Sequence, residues 1–134
     1  MIVLDEQLLG RNLELEIAKW YQGTVQFIMD LRPNTVIKDD AIPTLLRLQN
    51  QPTFVTINER DFWKKVVIDN HFCIVCFTLS DIHAHKIPQS LRLLYNLPKF
   101  DTKTKRMGKV IRITTQRISY YTFNDKEIKQ LSAR

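Results

Sequence analysis

An α/β fold with a central, mainly parallel sheet flanked by helices is predicted by two features of this 134-residue chain. Short apolar, strand-forming runs alternate with segments whose apolar residues recur at helical spacing. Several of the runs are apolar at every position, which is typical of strands covered on both faces, as in a parallel sheet. With 44% hydrophobic and 25% charged residues, the chain has the composition of one domain with a real core.

The first part of the chain predicts a strand, a helix and a second strand. Residues 2–4 are wholly apolar, and residues 8–20 carry apolar side chains at helical spacing up to Trp20. Residues 24–29 then combine β-branched and aromatic residues before a turn that contains Pro33. This order of elements favours a strand, helix and strand crossover.

The second helix is predicted to begin at Asp40 and to end near Gln49. Asp40 is the predicted N-cap because Pro43, which lacks an N–H, then falls in the first turn. Asp39 is then not needed as a cap, so its side chain is free to point away from the helix. A third strand at residues 53–57, a helix at residues 59–67 and a fourth strand at residues 72–77 follow.

The last part of the chain predicts one more helix and a terminal β-hairpin. The helix spans residues 87–97, with Pro88 in its first turn and Pro98 beyond its end. Apolar and polar residues alternate in residues 110–114 and 118–123, as in two half-buried strands. We therefore predict a single domain, 1–134, with an α/β core at 1–100 and a basic C-terminal extension at 101–134.

Two cysteines, Cys73 and Cys76, have the spacing of a redox or zinc motif. Both lie within the apolar run of the fourth predicted strand, whereas redox cysteines normally open a helix and a zinc set needs further ligands. We interpret them as buried strand residues.

The net charge of +6 lies entirely in the last quarter of the chain. Residues 1–100 carry eleven basic and eleven acidic residues, whereas residues 101–134 carry nine basic and three acidic ones. Arg112 and Arg117 are interleaved there with Tyr120, Tyr121 and Phe123, a mixture that binds single-stranded nucleic acid by charge and stacking. A solubilising, half-buried hairpin accounts for the same pattern, so both interpretations stay open.

No apolar stretch approaches the roughly 20 residues that cross a bilayer, and Asp5 and Glu6 interrupt the N-terminus too early for a signal peptide. We therefore expect a cytoplasmic protein that has no membrane partner.

Acidic residues follow the predicted strands at several points where a strand gives way to a helix. Asp5 ends the first strand, Asp39 opens the second helix, and Glu59 and Asp61 follow the third strand. Because loops at the carboxyl ends of parallel strands converge on one crevice, these carboxylates are expected to meet there. Hard oxygen ligands of this kind suit Mg²⁺ or Mn²⁺.

Several of these acids also have a purely structural interpretation. Asp40 is predicted to cap a helix, Asn58 and Asp61 have the spacing of a capping pair, and Asp30 precedes a Pro-Asn turn. Capping does not explain Asp5, because a carboxylate that follows a buried strand must be solvated, hydrogen-bonded or paired.

The order of these motifs resembles the PIN-like proteins of prokaryotes, relatives of the VapC toxins, over residues 1–97. The resemblance is carried by the sequences Val-Leu-Asp5, Asp39-Asp-Ala-Ile and Phe-Val-Thr-Ile-Asn-Glu59-Arg-Asp61-Phe. It implies a three-layer fold with a central parallel sheet, and an acidic cluster that binds Mg²⁺ or Mn²⁺ and cleaves RNA. Where this chain has Glu59, the family usually has Asp.

The resemblance implies a metal-dependent endoribonuclease in which Asp5, Asp39, Glu59 and Asp61 are the metal-binding and catalytic residues. Asp5 and Asp39 are predicted to hold the metal, and Glu59 and Asp61 to complete its shell or orient the water. Arg11, Arg60, Arg112 and Arg117 are candidate substrate-binding residues, because guanidinium groups bind phosphate well.

Two further functions stay open. One is a catalytically impaired PIN-like module that binds nucleic acid or a partner protein, and the other is a toxin paired with a cognate antitoxin, as in VapC relatives. A homodimer is expected by the same analogy.

Overall fold

A seven-stranded sheet forms the centre of the fold. In this computed structural model, which describes residues 1–79 and 81–132, the strands are β1 (Ile2–Leu4), β2 (Val25–Phe27), β3 (Thr53–Thr56), β4 (Cys73–Phe77), β5 (Lys109–Ile113), β6 (Arg117–Thr122) and β7 (Asp125–Ser132). Their order in the sheet is β2-β1-β3-β4-β5-β6-β7. The strands β2, β1, β3, β4 and β5 are parallel, whereas β6 pairs antiparallel with both β5 and β7. The predicted α/β class is confirmed. Ser80 and residues 133–134, which the predicted domain includes, lie outside the described residues.

Helices cover both faces of the sheet. The α-helices are α1 (Leu13–Ala18), α2 (Ile42–Arg47), α3 (Glu59–Phe62), α4 (Ile87–Tyr95) and α5 (Lys103–Arg106). Short 3₁₀ helices span Glu6–Leu8, Ile28–Leu31, Asp39–Ala41 and Asp81–Lys86. Apolar side chains of α1 and α4 pack on one face and those of α2 and α3 pack on the other, so the central strands β1, β3 and β4 are buried on both sides.

The first predicted helix is interrupted by two residues with left-handed backbone conformation. Gly10 has φ +82° and Asn12 has φ +59°, and these values separate the 3₁₀ helix Glu6–Leu8 from α1. Glycine and asparagine are the residues that adopt this conformation at least cost. Helical spacing alone did not indicate this break.

The predicted N-cap at Asp40 is wrong. Asp40 lies inside the 3₁₀ helix Asp39–Ala41, and α2 begins at Ile42 with Pro43 in its first turn. Pro43 lacks an N–H in either arrangement, so its position did not decide which residue precedes the helix. The helix predicted at residues 59–67 also ends early, since Lys64 has φ +62°.

The C-terminal segment belongs to the same sheet as the rest of the chain. The predicted hairpin strands appear as β5 and β6, with Arg112 paired to Ser119, and β5 also pairs in parallel with β4. The strand β7 was not predicted, because its charged residues conceal its alternation.

Both cysteines lie buried in β4. Burial raises the pKa of the Cys73 thiol to about 12 and that of the Cys76 thiol well above its ordinary value, so both stay protonated at neutral pH. Among the described residues, no helix is both long enough and apolar enough to span a membrane.

A substitution at Phe54 tests how the sheet packs against α3. Its ring is fully buried in β3, with its centroid 5.2 Å from that of Phe62. We predict that Phe54→Ala lowers the free energy of unfolding by about 3–5 kcal/mol, because it leaves a cavity. The control Val36→Ala, at a side chain 87% exposed, should change it by less than about 0.5 kcal/mol in urea titrations. A loss below about 1 kcal/mol for Phe54→Ala would contradict this packing.

Candidate functional site

The candidate site lies where the order of the strands reverses. The chain passes from β1 to β2 on one side, and then crosses β1 to reach β3 on the other. In open α/β sheets, such a switch point leaves a crevice outside the carboxyl ends of the two central strands. Asp5 follows β1 at this point and Asn58 follows β3.

Asp5 is a buried carboxylate, only 3% exposed. The Thr56 hydroxyl donates to Asp5 Oδ2 at 2.6 Å, and the Glu6 amide donates to Oδ1 at 2.8 Å. Desolvation raises the pKa of Asp5, while these two hydrogen bonds oppose the rise. The Asp5 carboxylate is therefore held in one orientation near other acids.

The strand register brings Asp5 and Thr56 together. Leu4 pairs with Val55, and the Asp5 amide donates to the Val55 carbonyl at 2.9 Å, so the next position on β3 is Thr56. Paired residues of neighbouring strands project from the same face of a sheet. The same face therefore continues from Asp5 and Thr56 through Cys76 to Arg112 on β5.

Asn58 links two of the other predicted site residues. Its side-chain amide donates to Asp61 Oδ2 at 2.7 Å and to Asp39 Oδ2 at 3.4 Å, and its Oδ1 accepts from the Asp61 amide at 3.3 Å. The last contact is the predicted N-cap of α3. Asn58 therefore caps a helix and also fixes two carboxyl groups that come from different loops.

The carboxyl groups of Asp39 and Asp61 share a hydrogen bond. Desolvation, this hydrogen bond and repulsion by Asp5 raise the pKa of Asp39 to about 6. Hydrogen bonds from Asn58 and from the protonated Asp39 carboxyl lower the pKa of Asp61. Asp5, Asp39 and Asp61 therefore form one electrostatically coupled cluster, which we call the acid cluster.

Glu59 forms an ion pair with Arg112 of β5. Its Oε1 accepts from Arg112 Nη1 at 3.0 Å, and the Arg112 guanidinium lies 4.5 Å from the ring centroid of Trp63. The Nε of Arg112 is buried and has no hydrogen-bond partner among the described residues. Glu59 and Arg112 thus neutralise each other next to the acid cluster.

The remaining predicted residues are more dispersed. Arg60 is exposed on α3 beside Asp61, and Arg11 Nε donates to the Gln7 carbonyl at 3.2 Å. Arg117 begins β6 and donates to Gln130 Oε1 at 3.2 Å. It lies three strands from β3, which is about 14 Å at the usual strand spacing, so it is not part of the acid cluster.

The donor set of the acid cluster consists of hard carboxylate oxygens, which fit Mg²⁺ or Mn²⁺ chemically. Within residues 1–79 and 81–132, no three His, Cys, Asp or Glu side chains are already grouped so as to hold a metal ion. Asp39 and Asp61 are exposed, so an ion from solvent has access to both carboxyl groups.

A cavity of about 540 Å³ opens beside the acid cluster. Its lining includes the carboxylates of Asp39 and Asp61 and the cations of Arg47 and Lys65. This size is within the range of ligand sites. The cavity brings carboxylates and cations to the same concave surface.

From the sequence, Thr56 is a candidate to hydrogen-bond a ligand or a scissile phosphate, although a threonine on a strand also reflects β propensity. Sequence reasoning did not assign a site role to Asn58, and it did not predict the pairing of Arg112 with Glu59. The position of Asn58, just after an apolar strand, was the available signal for it. No sequence signal indicated the pairing of Arg112 with Glu59, because residues 53 positions apart meet only through the order of the strands.

The Asp39 carboxyl provides a direct test of the coupling. We predict that carboxyl-carbon NMR places its pKa near 6, and that Asp61→Asn lowers this pKa while leaving it above the ordinary 3.8. Between pH 3.8 and about 6, the Asp39 carboxyl therefore keeps its proton in the folded state and releases it in the unfolded state. The contribution of Asp39 to stability is therefore lost as the pH rises through this window.

Asp101→Asn is the control, because Asp101 pairs with Lys105 on α5 and is not among the groups that shift Asp39. It should leave the pKa of Asp39 unchanged. Titration of Asp39 at its ordinary pKa in the wild-type protein would show that the acids are not coupled.

Comparison of the chain with protein-family models, with curated proteins and with solved structures finds no match.

Proposed function

We propose that this protein is a metal-dependent endoribonuclease of PIN-like type, in which Asp5, Asp39 and Asp61 bind Mg²⁺ or Mn²⁺. The observation that carries the proposal is the acid cluster itself. Three carboxylates from separate parts of the chain influence one another's pKa at the switch point of the sheet. Mutually repelling anions at a crevice favour the binding of a cation.

The neighbouring side chains support this role by fixing the carboxylates. Thr56 and the Glu6 amide occupy both oxygens of Asp5 from the protein side, and Asn58 restrains Asp39 and Asp61. Partners of this kind orient metal ligands and tune their affinity. A bound divalent cation would neutralise the substrate phosphate and make a water more acidic.

Arg112 and Arg60 are the two predicted substrate-binding arginines that lie next to acids of the site. Arg112 is held by Glu59 and Trp63, with its side chain 27% exposed, and Arg60 is exposed beside Asp61. Either guanidinium would bind a phosphate oxygen through charge-assisted hydrogen bonds. We assign Glu59 the role of positioning Arg112.

A second function is favoured by the ion pair between Glu59 and Arg112. In this alternative the chain is a catalytically impaired PIN-like module, because the pair removes from the cluster a carboxylate that an active relative would use. Such a module would bind nucleic acid or a partner protein without cleaving RNA. An antitoxin that covers the crevice and a homodimer remain predictions of the PIN-like resemblance.

The ribonuclease proposal predicts that Asp5→Asn reduces cleavage of single-stranded RNA by at least about 100-fold in Mn²⁺. Loss of an outer-shell partner costs about 10–100-fold, so loss of a ligand should cost at least the upper value. The measurement is kcat/KM on a fluorescent RNA. Asp101→Asn is the control and should keep wild-type activity, since exposed ion pairs contribute little.

Thermal unfolding followed by circular dichroism shows whether Asp5→Asn is folded. The asparagine oxygen can still accept a hydrogen bond from Thr56 or from the Glu6 amide, so the fold should persist. A folded Asp5→Asn variant with wild-type activity would overturn the ribonuclease proposal.

Glu59→Asp separates the two candidate functions. If the chain is an impaired module, the wild-type protein binds RNA without cleaving it, and Glu59→Asp confers Mn²⁺-dependent cleavage. The reason is that the shorter side chain withdraws from Arg112 and presents its carboxylate to the crevice. Cleavage by the wild-type protein would contradict the impaired-module alternative, whereas RNA binding without cleavage by either protein would contradict the ribonuclease proposal.

A further inference from the structure

A short segment of chain separates the cavity beside the acid cluster from a second cavity of about 510 Å³. This segment, residues 64–67, follows α3, and we call it the lysine ridge. Lys65, Val66 and Val67 line both cavities, while Lys64, Tyr121 and Lys126 line only the second. The two cavities are therefore adjacent and share one wall.

Tyr121 on β6 anchors the lysine ridge. The Lys64 amide donates to Tyr121 Oη at 3.1 Å, and Lys64 has φ +62°, where the chain turns after α3. The Trp63 ring packs against the Tyr121 ring, with centroids 5.1 Å apart. Lys126 Nζ lies 5.5 Å from the Tyr121 ring centroid. One buried tyrosine thus holds cations from two distant segments beside the same cavity.

Three lysines line the second cavity, two from the lysine ridge and Lys126 from β7. Lys64, Lys65 and Lys126 are exposed, and none of them forms an ion pair in the part of the chain that the structure describes. By contrast, Lys105 pairs with Asp101, and Lys129 pairs with Asp125. Unpaired cations grouped beside a concave surface attract a polyanion.

We propose that the lysine ridge binds the backbone of a single-stranded RNA whose neighbouring segment lies at the acid cluster. This proposal rests on the proposed ribonuclease function, and it adds a path for the substrate strand. Asp39 and Asp61 lie at one end of the path, Lys65 lies on the shared wall, and the second cavity forms the other end.

The shape and surface of the path favour a single strand over a duplex. Each cavity has the volume of a small-ligand site, so it admits individual nucleotides, whereas a duplex keeps its bases stacked inside. Val67 is 76% exposed on the ridge and offers apolar contact to a sugar or a base. Proteins bind single strands by combining cations, which contact the phosphates, with apolar surface, which contacts the bases.

The RNA contact proposed here differs from the one that the basic tail suggested. Arg112 is paired with Glu59, and Arg117 contacts Gln130. Within the described part of the basic tail, residues 101–132, Lys126 is the one cation that lines the second cavity. Two of the three cations, Lys64 and Lys65, come instead from the segment after α3, within the part of the chain whose basic and acidic residues balance.

The test is the affinity of the full chain for a short fluorescent oligouridine, measured by anisotropy in EDTA from about 50 to about 200 mM salt. The variant is Lys64→Gln/Lys65→Gln/Lys126→Gln. Each phosphate contact to a single strand contributes about −0.7 to the slope of log affinity against log salt, so the slope should become shallower by about two. Affinity at the lowest salt should fall by at least about tenfold.

The matched control is Lys86→Gln/Arg92→Gln/Lys103→Gln, which removes the same number of exposed cations. Lys86 and Arg92 belong to α4 and its N-terminus, on the opposite face of the sheet from α3. Lys103 lies on α5. The control should retain the wild-type slope and affinity, and both triple variants should melt at the wild-type temperature because all six side chains are exposed.

The proposal would be overturned if both triple variants lost the same affinity for oligouridine, or if Lys64→Gln/Lys65→Gln/Lys126→Gln, the ridge variant, lost none. It would also be overturned if the ridge variant lost affinity for duplex RNA or for polyglutamate as much as for oligouridine, because the surface would then be a general anion site. Cleavage is measured separately in Mn²⁺. A chain that binds through the lysine ridge but does not cleave overturns the ribonuclease proposal alone.

Discussion

The hydrogen bond between Thr56 and Asp5 is the contact on which the candidate site depends. It exists because β1 and β3 are adjacent and paired in a register that places Leu4 beside Val55. A shift of one residue would turn Thr56 to the opposite face and leave a buried carboxylate without its hydroxyl donor. Burial of an unpartnered charge costs far more than the contact itself contributes, so the register and the site stabilise each other.

The other site residues are arranged around this fixed anion. Asp39 and Asp61 gain their altered pKa values from the same neighbourhood, and Asn58 holds them through amide hydrogen bonds. Lys65 lines the same cavity as Asp39 and Asp61, the lysine ridge forms the wall between the two cavities, and Arg112 is engaged by Glu59. The crevice thus has an anionic end and a cationic path, which suits a metal and a polyanionic strand.

The sequence was sufficient to predict the α/β class, most strands and the acids near the crevice. Those predictions rest on local patterns, such as the apolar run of β4 and the capping pair of Asn58 and Asp61. The break at Asn12 and the early end of α3 depend on left-handed backbone, which a helical pattern does not reveal. The ion pair of Glu59 with Arg112 and the anchoring of Lys64 by Tyr121 depend on strand order, which no local pattern contains.

The proposed function depends on the binding of a divalent cation by the acid cluster. Crystals grown with Mn²⁺ and measured at an anomalous wavelength test it most directly. The account predicts an anomalous peak bonded to carboxylate oxygens of Asp5 and Asp39, with Asp61 completing the set. Well-ordered density for all three side chains with no peak among them, or with the ion bound elsewhere on the surface, would contradict it.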